Sequence, residues 1–120
     1  MVKKVFVGGC LMNEALMNNF DKMVMKDTVA VIHATMKNSE GNYVSNPHTV
    51  ALVHVDKNLT DIEKCEKAFM LTNSIENGWW NNKEVTAMFP NDGCRSTSVG
   101  DQVLVGTTKY VCDAFGWSKV

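Results

Sequence analysis

Patterning across these 120 residues predicts a single α+β domain spanning 1–120, built on a mainly antiparallel sheet with one well-defined helix over about 60–77 and a second over about 11–25. Three observations carry that prediction. Two β-rich runs, Thr28 to Met36 and Thr49 to Val55, flank a polar stretch that reads as a turn. A capping box at Thr60-Asp61-Ile62-Glu63 opens a stripe of apolar residues at helical period. The length, with 45% hydrophobic and 21% charged residues, suits one buried core and is too short for two ordinary domains.

The elements follow in order. Residues 2–7 alternate in the manner of a short strand that Gly8-Gly9 ends. Leu11, Met12, Ala15, Leu16, Phe20 and Met23 are close to helical spacing, which gives the expected helix over 11–25. The runs at 28–36 and 49–55 are apolar on both faces, the pattern of interior strands, and are expected to pair through an exposed loop of roughly ten residues. In the helix that follows, Ile62, Cys65, Phe69, Thr72 and Ile75 trace the inner stripe, with Glu63, Lys64, Glu66 and Lys67 on the wet side and Asn77-Gly78 as the stop. A short strand is expected near Glu84–Phe89. Strands at 102–105 and 109–113 then form a hairpin around Gly106-Thr107-Thr108, and 115–120 is an extended tail.

Composition narrows the function classes. A net charge of -1 lacks the basic footprint of a protein that binds nucleic acid by neutralising phosphates, so a nucleic-acid partner is not expected. No run approaches the roughly 18 apolar residues of a membrane span, and the start reads as a strand rather than a signal peptide. Cys10, Cys65, Cys94 and Cys112 are scattered without a CxxC pair, which predicts free thiols in a reducing, cytoplasmic compartment. No metal or cofactor is expected. His33 and His54 share a sheet face only if their strands pair with an odd register sum near 85, His48 reads as a loop residue, and no HxH, HxxxH or HExxH spacing occurs. Ser96, Ser98 and Cys10 are nucleophiles by residue type alone, without a GxSxG elbow or cysteine signature, so no catalytic residue is assigned.

The most specific segment is Cys94-Arg95-Ser96-Thr97-Ser98-Val99-Gly100-Asp101, followed by Tyr110-Val111-Cys112-Asp113-Ala114-Phe115-Gly116-Trp117. It resembles the Arg/His-Ser-x-Ser-Val-Gly/Ser-Asp … Tyr-Val … Phe-Gly-Phe/Trp ending of YodL-like domains and of small proteins of bacteriophages and mobile elements. The upstream stretch from Ala68 to Trp79 is similar to a helix that cyanophage proteins pair with that ending. The resemblance covers about 50–120. It implies an accessory protein in a bacterial host and supplies no established activity to carry over.

Read from the residues themselves, Ser96 and Ser98 can bond nearby backbone groups and Asp101 can close a turn. Arg95 is the only arginine among twelve basic residues. A guanidinium suits a planar, multi-donor contact, either with an internal carboxylate that pins the turn or with an external anion. Adjacent side chains of an extended segment point to opposite sides, so one of Trp79 and Trp80 is expected to face solvent or a partner. Arg95, Ser96, Ser98, Asp101, Trp79, Trp80 and Trp117 are therefore the candidate binding residues. The expected partner is a protein or a second copy of the chain, giving a homo-oligomer, with a small anionic ligand such as a nucleotide as the alternative.

Overall fold

The computed structural model describes residues 26–73, 78–90 and 92–120, together with the backbone of two short segments near the start. Those two, β1 (Phe6–Val7) and β2 (Cys10–Leu11), pair with each other antiparallel. Leu11 is thus in a strand, where the sequence suggested the start of a helix. The remainder of that expected helix, 12–25, lies outside the described residues.

The main sheet has six antiparallel strands: β3 (Lys26–Lys37), β4 (Tyr43–Asp56), β5 (Val85–Ala87), β6 (Gln102–Val105), β7 (Thr108–Asp113) and β8 (Gly116–Lys119), in the spatial order β5-β4-β3-β6-β7-β8. β3 and β4 are interior, as their two-sided apolar character predicts. Both are longer than expected because the connecting turn is tight. The Asn38 carboxamide oxygen accepts from the N–H groups of Glu40 and Asn42, and Gly41 takes the left-handed conformation (φ 86°). The stretch Asn46-Pro47-His48, read from sequence as loop, is therefore strand. Pro47 is tolerated because β5 covers only Ala51–Val53 of β4, leaving this part of the strand at the sheet edge. Of the last six residues, expected as an extended tail, Gly116–Lys119 form β8, and all four pair with β7.

One face of the sheet buries Val29, Val31, Ala51, Val53, Val55, Val103, Val105 and Tyr110 under helix α1 (Asp61–Leu71). The capping box is present in both directions, Thr60 Oγ1 taking the Glu63 N–H and the Glu63 carboxylate taking the Thr60 N–H. The inward stripe is rotated from the expected one. Lys64, assigned to the wet side, is 7% exposed and bonds Asp27 at 2.9 Å, whereas Ile62 is exposed. The helix stops at Leu71 rather than near 77 because Thr97 competes for its end. The Thr97 N–H donates to the Thr72 carbonyl, and the Asn73 side chain donates to the Thr97 carbonyl. These bonds draw the chain away from the helical path.

The opposite sheet face presents half-buried Ala30, Ile32, Leu52, Leu104 and Val111. No described helix packs on it. Trp79 to Asn81 form a 3-10 turn, not an extended segment, and this changes the fate of both tryptophans. Trp79 is 2% exposed and donates its indole N–H to the Arg95 carbonyl. Trp80 is half-buried, edge-on to Phe89 and close against Gly78 and Gly93. Neither ring projects freely into solvent.

Candidate functional site

Beyond Ile32, β6 no longer pairs with β3, and the outer halves of β3 and β4 extend as a two-stranded arm. Side chains replace the missing strand. The Asp101 carboxylate accepts the Ala34 N–H at 2.9 Å, and Arg95 Nη2 donates to the Thr35 carbonyl at 3.2 Å. The two residues are locked together by a bidentate pair, Nη1 to Oδ2 at 2.7 Å and Nη2 to Oδ1 at 2.8 Å, while the Ser98 N–H adds a bond to Oδ2 at 2.8 Å. Of the two partners that the sequence left open for Arg95, the structure supplies the internal carboxylate.

Asp101 is 1% exposed. Burial pushes its carboxyl up, but the Arg95 fork and the two backbone N–H bonds outweigh that and hold it below the ordinary carboxylate range. The same pairing raises Arg95. A buried charge pair of this kind needs good geometry and satisfied lone pairs, and here both carboxylate oxygens carry two bonds each.

Behind the pair lies His33, 1% exposed. A chain of hydroxyls fixes its tautomer. Thr72 Oγ1 donates to the Ala68 carbonyl at 2.7 Å, so the Thr97 hydroxyl must donate to Thr72 Oγ1, 2.7 Å away. Thr97 Oγ1 is then left to accept from His33 Nε2 at 2.9 Å. His33 therefore carries its proton on Nε2 and presents a lone pair at Nδ1, and Cys94 Sγ sits 3.6 Å from that nitrogen. Burial lowers His33 to about 4 and raises the Cys94 thiol, so at neutral pH the pair rests as thiol and imidazole.

The cluster opens into a cleft of about 380 Å³ at the base of the arm. Lys37, Tyr43 and His48 line it from the arm, Phe89 and Pro90 from the loop after β5, and His33, Cys94 and Arg95 from its floor. Among the described residues that line it there is no carboxylate. Arg95 Nε is buried and has no acceptor, the sole such side-chain atom among the described residues.

Only part of the predicted constellation converges here. Arg95, Ser98 and Asp101 meet, with Arg95 Nη1 also 3.4 Å from Ser98 Oγ, and the Ser96 carbonyl accepts from Arg95 Nη1. Trp79 backs the floor, with its ring edge-on to His33 and its indole N–H on the Arg95 carbonyl, and Trp80 packs behind Phe89. Trp117 is elsewhere, on β8 and edge-on to Phe69 of the helix. Sequence reasoning missed His33, His48, Lys37, Tyr43, Phe89 and Cys94 as members of one site. It had no spacing to work with, since Cys94 and His33 are 61 positions apart.

The register decides between the two histidine arrangements that the sequence left open. Thr28 pairs with His54, an even sum, and a bulge after Val31 brings His33 opposite His48 instead. His33 and His48 share a face with ring centroids 6.3 Å apart, and His54 lies on the other face. Among the described residues, no three His, Cys, Asp or Glu side chains come together at metal-ligand spacing, and no helix is long and apolar enough to cross a membrane. In comparisons with protein-family models, curated proteins and solved structures, nothing matches the chain.

Proposed function

We propose that the protein acts by binding, and that its ligand site is the cleft at the base of the β3–β4 arm. The observation that carries this reading is the character of the cleft walls. Lys37 brings a positive charge, Arg95, its own charge paired with Asp101, forms the floor with His33, Tyr43 and Phe89 add flat apolar surface, and no carboxylate is among the described residues that line the cleft. A volume of about 380 Å³ is at the small end of ligand pockets, which suits an anionic group carried on one aromatic ring or a similar planar body. Arg95 positions the floor rather than reaching out, because its terminal nitrogens are committed to Asp101 and Thr35. Thermal-shift measurements against aryl phosphates and nucleoside monophosphates test the reading. Binding to the native state raises the midpoint, and the rise grows with the logarithm of ligand concentration above the dissociation constant. No stabilisation at millimolar ligand contradicts it.

A second reading, a protein partner or self-association, is favoured by a different observation. The sheet face bearing Ala30, Ile32, Leu52, Leu104 and Val111 has no described helix over it, and Phe115 at the β7–β8 turn is fully exposed. The similarity of the 94–117 segment to phage and mobile-element proteins supports an accessory role of this kind. Light scattering during size-exclusion chromatography tests it; a strict monomer counts against self-association.

A further inference from the structure

We propose that Cys94 and His33 form a nucleophile–base pair that takes an acyl group from an activated ester or thioester held in the cleft. The inference goes beyond binding, although it uses the same cavity. Two independent features converge on it. The sulfur is half-buried and lines the cleft, so a ligand seated there meets it directly. The imidazole lone pair at Nδ1 faces that sulfur because the Ala68–Thr72–Thr97 relay holds the proton on the other nitrogen.

The step balances on these groups. Cys94 Sγ adds to the carbonyl carbon as its proton passes to His33 Nδ1. The bond from that carbon to the leaving oxygen or sulfur breaks, and the leaving group takes the proton back from Nδ1. This leaves an acyl thioester on Cys94 and a neutral imidazole. Water reverses the sequence: its oxygen adds to the carbonyl carbon, its proton goes to Nδ1 and then to the departing sulfur, and a carboxylic acid is released. No electrons are exchanged with an outside donor. Because the resting pair is neutral, the proton moves only as the carbon–sulfur bond forms, and the imidazolium then lies beside Asp101, whose Oδ2 is 3.9 Å from Nε2. Thr97 and Asp101 are positioning residues in this scheme.

The experiment follows p-nitrophenyl acetate with the full chain near pH 7, reading p-nitrophenolate release by absorbance and the site of acetylation by peptide mass spectrometry. The proposal expects one equivalent of rapid release with acetyl on Cys94, lost in Cys94→Ala. It expects a fall of about 10²-fold or more in rate for His33→Gln, the usual contribution of a general base. Thr97→Val, which breaks the relay, should slow acylation, and Thr97→Ser, which retains the hydroxyl, should restore it. Circular dichroism establishes that each variant is folded, and the Thr97 pair carries the test if His33→Gln is not. Acetylation of Cys94 at the wild-type rate in Thr97→Val and His33→Gln overturns the proposal, as does acetyl found only on other residues or on none. A protein that binds an aryl phosphate in the cleft yet leaves Cys94 unmodified by the ester overturns this proposal and leaves the binding reading standing.

Discussion

Replacing Asp101 by Asn tests the arrangement that forms the floor of the cleft. The substitution keeps the shape and removes the charge. In the native site each carboxylate oxygen accepts two bonds, Oδ1 from Ala34 N–H and Arg95 Nη2, Oδ2 from Arg95 Nη1 and Ser98 N–H. A carboxamide has one oxygen, so either orientation turns an NH₂ group toward two donors that previously had an acceptor. Two donors lose their bonds, at about 1–3 kcal/mol each. The guanidinium, 19% exposed, loses its counter-charge. Breaking one side of a buried pair costs about 3–5 kcal/mol, which falls inside the about 2–6 kcal/mol that two lost bonds give. Urea denaturation reads this directly. With slopes of about 1–3 kcal/mol per molar, the midpoint should fall by at least about 1 M at unchanged slope. A loss below about 1 kcal/mol would refute the view that Asp101 substitutes for a strand and pins Arg95.

Further expectations follow from other contacts. Arg95→Lys keeps the charge but loses the fork and the Thr35 bonds, and should cost about 1–2 kcal/mol by the same assay. His33 is held at about 4 in the fold against an ordinary 6.5, chiefly by burial, so the unfolded chain binds its proton first. Stability should therefore be full above about pH 6.5 and fall by roughly 3 kcal/mol as pH drops toward 4, and in His33→Gln this component of the slope should vanish. A Cβ on Gly78 would come within 2.4 Å of the Trp80 ring, so Gly78→Ala should cost about 1–3 kcal/mol and alter tryptophan fluorescence. Asp27 titrates below its ordinary value because Lys64 bonds it, and Lys64→Met should return it toward 3.8 by NMR titration of the carboxyl carbon.

What was legible in the sequence and what was not divides along physical lines. Local signals held: the capping box at Thr60–Glu63, the two-sided apolar runs of β3 and β4, and the hairpin of β6 and β7 all rest on near neighbours. Where tertiary contacts compete with local preference, sequence reasoning failed. The helix continues in pattern to Ile75 but ends at Leu71, because Thr97 takes the Thr72 carbonyl. Asn46-Pro47-His48 has loop composition and is strand, because the exposed arm tolerates it. Lys64 reads as solvated and is buried because Asp27 faces it. The unusual status of Arg95 was readable from composition, and its internal partner lies only six residues on at Asp101. The Cys94–His33 contact was invisible, since it joins residues 61 positions apart, and the tautomer that turns the imidazole lone pair to the sulfur rests on a hydroxyl relay spanning helix, strand and loop.

The binding reading meets its most direct test in an amide NMR titration of the full chain with phenyl phosphate. The account predicts saturable shifts concentrated at residues 33–37, 43–48 and 89–95, weakened by Lys37→Glu, with phenol alone producing much smaller changes at the same positions. Shifts scattered over the surface without saturation, or equal responses to phenol and to phenyl phosphate, would contradict an anion-selective site in the cleft.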